Sequence, residues 1–498
     1  MAVRDAARVL DIPHGKLERL HRVLPDDPRI PLKLAMARNP CLRAECDSDP
    51  ACRQLVTAVS VLEGLCRNTG THASGIVISD IPLTVIVPLA LDRDGQPVTQ
   101  YSMEHLAGAG LLKIDLPGLR TLSVVRDALD LAAAGGKPAP DLDSIPHDDA
   151  ATIDLLDCGN TVGVFQLERD GMRDLLRRLG PARMEDLVTA LALYRPGATH
   201  VLEDFIRRKT GRAPCEPPHQ LLRPVLKQTF GMLLFQEQLI AAICTLAGYT
   251  QGEADLLRRA MNGKDPEALD AMRDKFAGGC AKKHRMPRET ADDIFDILSR
   301  SAGTGFNMAH GVALAALSYK TAYLKANLPA EFMAALLSSE MGEAGKIQAY
   351  INEANAMGLR ILRPDINQSD ARFLPTADGI RFGLCGIRNI NGAAIDALLA
   401  ERAARGPFAG LIDFCSRVDS QLVHRKVIES LLRAGCFDST GLHRARLHRG
   451  LNAAMSCAAQ ALRDVHSGQA SLFGVTTGGL ALRDEDVMPD CERWHESR

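Results

Sequence analysis

The spacing of apolar residues changes several times along the chain, and each change predicts a different kind of element. Over residues 1–70 apolar positions recur at helical spacing. Val3, Ala7 and Leu10 form one stripe, and Arg4 and Arg8 lie one turn apart on another face. Pro13, Pro25, Pro28 and Pro40 break this region into short helices. Between Ser74 and Asp115 the period falls to two, and β-branched runs over residues 75–79 and 84–91 predict strands. Asp92-Arg93-Asp94-Gly95 predicts a hairpin turn before another strand over residues 98–101. The stretch GLLKIDLPGLRTL, residues 110–122, then predicts a strand over 111–115, a turn at Pro117-Gly118 and a helix from about Thr121. On that strand Lys113 and Asp115 share one face, and Leu112 and Ile114 are expected to pack on the other.

From Thr121 to about Leu362 the pattern is almost wholly helical. Thr250 followed by Glu253 is a capping box. Ala254, Leu257, Ala260 and Met261 form the buried stripe of that helix, with Arg258 and Arg259 toward its C-terminal end. Paired arginines there can hold backbone phosphates or simply interact with the helix dipole. A long helix is expected after Asn307, through Tyr319, Lys320, Tyr323 and Lys325, stopping before Pro329. Beyond Pro364 a strand is predicted over residues 380–384, followed by IRNINGAAIDALLAER, a loose helix-hairpin-helix pattern. Asn389 and Asn391 stand there at positions where glycine is expected. A further helix is predicted from Val423 to Ala434, closed by Gly435. The fold class is mainly α with a small β-sheet (α+β).

At 498 residues and 46% hydrophobic, the chain can bury several cores, which suggests two to four domains. The net charge of -2 means that any nucleic-acid footprint is local. Residues 256–288 carry nine Lys/Arg against four Asp/Glu, and residues 421–450 carry six against two, with His424, His443 and His448 besides. The tail from Arg483 reverses this, with three basic and six acidic residues. Thirteen cysteines are scattered without a CxxC pair, and Cys41, Cys46 and Cys52 lack a histidine pair nearby, so zinc is not expected. The N-terminus, MAVRDAARVL, has no apolar signal core and no run reaches membrane length. A soluble, cytoplasmic protein with no membrane partner is expected. A cation beside a carboxylate at a strand end, Lys113 with Asp115, suits phosphate and metal chemistry, and equally suits a solvated surface ion pair. His72, with Arg67 and Asn68 before it, either faces phosphate or shapes a loop.

Taken together, VRDAARVL, RNTGTHASGIVIS, LLKIDLPGLRTL, VFQLERDGMRDLLRRL, YRPG, FQEQ, GYTQGEADLLRRAM, GFNMAH, SYKTAYLKANLPAEF, RPDIN and GQASLFG resemble, in order, the middle of the bacterial replicative DNA polymerase III alpha subunit, a C-family polymerase. The resemblance spans residues 1 to about 475. It implies a thumb over 1–70, the closing part of a nucleotidyltransferase-type palm over 71–120 and fingers over 121–362. It further implies a helix-hairpin-helix, clamp-proximal region over 363–468 and a clamp-binding peptide and tail over 469–498. By the same resemblance Asp115 is a catalytic, metal-binding carboxylate and Lys113 its companion. Arg258, Arg259, His310, Arg195 of YRPG and His72 become candidate contacts for nucleotide or DNA phosphates. Gln469, Leu472 and Phe473 would bind a sliding clamp. The implied cofactor is Mg²⁺ in a two-metal site. The implied partners are a DNA primer-template, deoxynucleoside triphosphates, the sliding clamp, and other polymerase III holoenzyme subunits or a chain supplying the missing palm.

This sequence also departs from the family pattern. The family places an Asp-x-Asp pair upstream of the thumb, in sequence this chain does not contain. The pairs Asp47/Asp49, Asp92/Asp94, Asp141/Asp143 and Asp484/Asp486 lie in turns, loops or polar segments and do not replace it. Met308 stands where lysine is usual and Ala198 where proline follows YRPG. The family's N-terminal phosphoesterase-like domain and its C-terminal OB-fold and partner-binding domains are not found in the chain. The expected function is DNA-directed DNA polymerase, incomplete and inactive alone. The alternatives are a non-catalytic DNA- and clamp-binding remnant and a helical interaction protein without a nucleic-acid role.

Overall fold

A computed structural model describes residues 2–13, 15–18, 31–40, 42–44, 49–65, 69–195, 201–263, 266–467 and 483–494. The chain forms two units, Met1–Gly118 and Leu119–Arg498. It is mainly helical, with small β-sheets.

In the first unit the helices Ala2–Val9, Leu32–Arg38 and Pro50–Leu62 bury Ala6, Ala7, Ala35, Cys52, Leu55 and Val59 against one another. Asp49 starts the third helix by accepting the Ala51 N–H, with Pro50 in the first helical position, where its missing N–H costs nothing. Four short strands follow: β1 (Gly75–Ile78), β2 (Leu89–Leu91), β3 (Pro97–Thr99) and β4 (Leu112–Asp115). β1 pairs antiparallel with β4, and β2 with β3. The β2–β3 hairpin closes as its turn residues require: Asp92 Oδ1 accepts the N–H groups of Asp94 and Gln96, and Gly95 takes φ 76°. The expected strand over 84–91 holds only at its end. Residues Leu83–Ile86 form one helical turn, fenced by Pro82 and Pro88, and that turn overrides the β preference of Thr84, Val85 and Ile86. A larger correction concerns β4. Lys113 and Asp115 do share a face, but Leu112 and Ile114 do not pack on the other; both are exposed.

In the second unit, side chains at helical spacing form four buried clusters. The long helix runs from Met308 to Asn327, capped by Asn307, whose Oδ1 accepts the His310 N–H at 2.7 Å. It packs against the helices Ala150–Asp157, Met184–Leu193 and Pro329–Ser339. Further on, Gly379–Arg381 is a strand and Leu384–Gly386 a 3₁₀ turn, so the strand expected over 380–384 is shorter and starts one residue earlier. Asn389 adopts φ 65°, taking the left-handed conformation that glycine would supply, while Asn391 is extended and caps the helix Gly392–Arg405 by accepting the Ala394 N–H. After the helix Leu411–Arg417, the helix expected from Val423 begins at Arg425, two residues later, and is closed by Gly435 with φ 84°. Residues 483–494 return to this helical body. Asp484 accepts the N–H groups of Leu411 and Ile412 at 2.6 and 2.9 Å, and Met488 is buried at Gly450, where a Cβ would overlap its sulfur.

Lys325 ties the long helix to its surroundings. Its ammonium has no exposure, donates to the Asn160 and Val162 carbonyls at 2.7 and 2.8 Å, and meets Glu353 at 2.5 Å. Burial pulls its pKa below the ordinary lysine value, and Glu353 opposes that pull. Lys325→Met strands a mostly buried carboxylate and two carbonyls. It is expected to lower the unfolding free energy by roughly 3–5 kcal/mol, measured by urea denaturation. A loss below about 1 kcal/mol would mean that the three acceptors find other partners.

Candidate active site

The β1–β4 register sets Gly75 opposite Asp115 and Val77 opposite Lys113. Two residues apart on one strand, Lys113 and Asp115 project to the same side, and Lys113 Nζ lies 2.5 Å from Asp115 Oδ1. His72 arrives from the loop before β1. Its Nδ1 accepts the Ser74 N–H at 3.3 Å and stands 3.7 Å from the same Asp115 oxygen. At that distance His72 is a close neighbour of Asp115 rather than its hydrogen-bond partner. Sequence reading missed Gly75. A Cβ there would lie 3.0 Å from both His72 Nδ1 and the Lys113 Cε, so the bare backbone is what lets the two side chains converge.

The Lys113 hydrogen bond, followed by its charge and that of His72, holds the Asp115 carboxyl below the usual carboxylate range against desolvation. Asp115 is thus an ionised oxygen donor, half exposed, and Oδ2 has no hydrogen-bond partner among the described residues. That chemistry fits one ligand to a hard divalent cation. Among the described residues no group of three or more His, Cys, Asp or Glu could hold a metal.

In the second unit Arg258 and Arg259 lie on the helix Gln251–Gly263. Its start is the expected capping box: Thr250 N–H donates to Glu253 at 3.0 Å, and Glu253 N–H to Thr250 at 3.3 Å. The residue that sequence reading missed is Asp255. Its Oδ1 accepts Arg258 Nε at 2.9 Å and its Oδ2 accepts Arg259 Nε at 2.8 Å. The i,i+3 and i,i+4 spacing would have signalled it. Arg258, foremost, keeps the Asp255 carboxyl below its ordinary range. The two arginines are unequal: Arg258 is 15% exposed and Arg259 70%.

Arg195 and His310 meet through Phe306. The Arg195 guanidinium stacks 4.4 Å over the Phe306 ring and donates to the Ala192 and Thr304 carbonyls at 3.0 and 2.7 Å. His310 sits edge-on to the same ring, with centroids 5.8 Å apart, in the exposed first turn of its helix. Burial lowers the Arg195 pKa, and no carboxylate pairs with it among the described residues. Gln469, Leu472 and Phe473, with Arg67 and Asn68, lie outside the described residues.

Three family models match the chain in succession. They are the bacterial DNA polymerase III alpha NTPase domain over residues 1–118, the finger domain of the same subunit over 121–284 and a helix-hairpin-helix motif over 358–447. The first two define a nucleotidyltransferase family that acts as DNA-directed DNA polymerase. The DNA polymerase III subunit alpha of Thermus aquaticus is 42% identical over 480 residues, which are 95% of this chain and 39% of that protein. That of Pasteurella multocida is 41% identical over 510 residues, 99% of this chain and 44% of that protein. That of Escherichia coli is 39% identical over the same shares. The chain belongs to the bacterial DNA polymerase III alpha family. It spans about two fifths of the length of the curated relatives it matches.

The depressed Asp115 pKa has a direct consequence. Ionisation of this carboxylate, and with it the Lys113 pairing, persists through neutral pH and is lost only as pH falls through a folded-state pKa below the ordinary value of 3.8. In Lys113→Met the Asp115 pKa is expected to rise toward or above that value, read by ¹³C NMR titration of the side-chain carboxyl. An unchanged titration would show that the ion pair does not set it.

Proposed function

We propose that this chain contributes to template-directed nucleotidyl transfer, as part of a DNA-directed DNA polymerase of the DNA polymerase III alpha type. The observation that carries the reading is the convergence of His72, Lys113 and an ionised Asp115 at the end of the β1–β4 sheet, in the segment matched by the alpha-subunit NTPase domain. Asp115 would hold Mg²⁺, and a bound divalent ion there supplies charge neutralisation for triphosphate chemistry. Lys113 pairs with Asp115 and adds a cation beside incoming phosphates. Arg259, presented outward, and Arg258, nearly buried, would contact phosphate through donors that stay charged at all working pH values. Arg195 and His310, both against the Phe306 ring, would add a phosphate contact without a competing carboxylate on the arginine.

Beyond the fingers, the hairpins before Gly392 and Arg425 offer backbone N–H groups at helix starts, a geometry suited to a DNA backbone. Arg425 and Lys426 open their helix with no acidic residue in its first turn, which is unfavourable for the dipole and favourable for an anionic ligand. Gln469, Leu472 and Phe473 are assigned to a sliding clamp on their sequence alone, and the domain limits of 1–70, 71–120, 121–362, 363–468 and 469–498 belong to the same proposal. A second reading, DNA and clamp binding without catalysis, is favoured by the lack of a multi-carboxylate cluster at Asp115 among the described residues.

Primer extension separates the two readings. The chain alone is expected not to extend a primed template with Mg²⁺; extension that appears with a chain supplying the missing palm and disappears in Asp115→Ala supports nucleotidyl transfer. Salt-dependent DNA binding with no Asp115-dependent extension supports the second. Arg258→Ala with Arg259→Ala is expected to weaken primed-DNA binding and lower its salt slope by roughly one unit for each phosphate no longer neutralised. An unchanged slope in a folded variant would return both to ordinary helix cations. Leu472→Ala with Phe473→Ala is expected to abolish binding to a bacterial sliding clamp while leaving the melting temperature nearly unchanged. Reduced stability with clamp binding retained would place them in the core.

A further inference from the structure

The helix Gln251–Gly263 places one carboxylate between two adjacent guanidinium groups, and the spacing decides what each can do. Residues three and four positions on flank a given helical residue on the next turn, so Asp255 meets Arg258 on one side and Arg259 on the other. Each carboxylate oxygen takes a different arginine. Oδ1 accepts Arg258 Nε at 2.9 Å and stands 2.8 Å from its Nη2, while Oδ2 accepts Arg259 Nε at 2.8 Å. No other carboxylate pairs with either guanidinium among the described residues. Glu253, the other carboxylate of the helix, is committed to the Thr250 cap and to Lys275 at 3.3 Å. Outward, Gly252 leaves open space, and Leu256, 65% exposed, has no polar atom in its side chain to occupy the arginines.

An arginine held at Nε is held at the root of a planar fork, and its terminal donors stay available. Arg259 keeps both Nη groups, and Arg258 keeps Nη1, without a partner among the described residues. A long side chain already aimed loses less conformational freedom when a ligand arrives. We infer that Asp255 is a positioning residue: by holding both Nε groups it aims the terminal donors of Arg258 and Arg259 at a phosphate group. The role rests on the reading of these arginines as phosphate contacts and deepens it, because a carboxylate becomes part of an anion site. The sign of its effect separates aim from simple charge. A carboxylate beside an anion site repels phosphate, so on Coulomb grounds alone its neutralisation strengthens binding. For a positioning carboxylate the sign is opposite, since neutralisation frees both forks and weakens binding.

The test uses the full chain with two probes, inorganic tripolyphosphate by titration calorimetry and a primed template by fluorescence anisotropy. Asp255→Asn, nearly isosteric, is expected to weaken binding of one or both about tenfold, and the probe that responds tells triphosphate from DNA backbone as the source of the phosphate. In an Arg259→Ala background the same change is expected to cost less than about twofold further, because the more exposed fork is already gone. A carboxylate that only supports the fold would instead cost the same in both backgrounds, and that result would overturn the inference. Arg258 is only 15% exposed and loses its partner in Asp255→Asn. Should that variant not fold, Asp255→Asn with Arg258→Met, set against Arg258→Met alone, keeps the Arg259 comparison intact. Unchanged or tighter binding in Asp255→Asn, where Arg259→Ala binds more weakly, sinks this inference and leaves the phosphate reading standing. If Arg259→Ala binds both probes as the unaltered chain does, the phosphate reading falls and takes the role of Asp255 with it.

Discussion

An ammonium group sealed from water is tolerated only where every proton has an acceptor, and Lys325 meets that condition with two carbonyls and a carboxylate. The acceptors come from the loop at residues 160–162 and from the helix Ala344–Ala356, while the lysine itself closes the Met308–Asn327 helix. Three segments distant in sequence are thereby held to one arrangement, and a shift of any of them would strand a charge. The same long helix carries His310 at its opposite end and packs on Met184–Leu193, whose end leads to Arg195. The placement of Arg195, Phe306 and His310 in the second unit therefore depends on a helix fixed at its far end by a buried ion pair.

Much of the secondary structure was legible because local chemistry dictates it. The Thr250–Glu253 box, the Asn307 cap, the αL glycine at Gly435 and the Asp92 turn each satisfy backbone groups that nothing else nearby could satisfy. What escaped was non-local. Alternation along β4 correctly said that Leu112 and Ile114 share a face; it carries no information on whether anything covers that face. The five residues between Pro82 and Pro88 hold one helical turn because the prolines limit the chain more strongly than β-branching directs it. Asn389 takes a glycine's conformation because its short polar side chain lowers the penalty of positive φ.

The candidate site shows the same division. That Lys113 and Asp115 share a face is legible from spacing alone, whereas the place of Gly75 depends on a strand partner 40 positions away in sequence. Asp255 was visible as a spacing but not as a shared anchor, since pairing with both arginines requires their Nε groups to turn inward together. Phe306 needed the tertiary structure to bring Arg195 across from residue 195 to the start of the long helix.

The return of residues 483–494 to the helical body has a mechanical meaning. Asp484 grips the start of the Leu411–Arg417 helix with two hydrogen bonds, and Met488 is seated in the notch that Gly450 leaves in the Arg444–Ser467 helix. Residues 484 and 488 are thus fixed at two points on one body, a helix start and a helix notch, and the first contact lowers the entropic cost of forming the second. A pull on this segment is divided between a helix start and a buried thioether instead of falling on one contact.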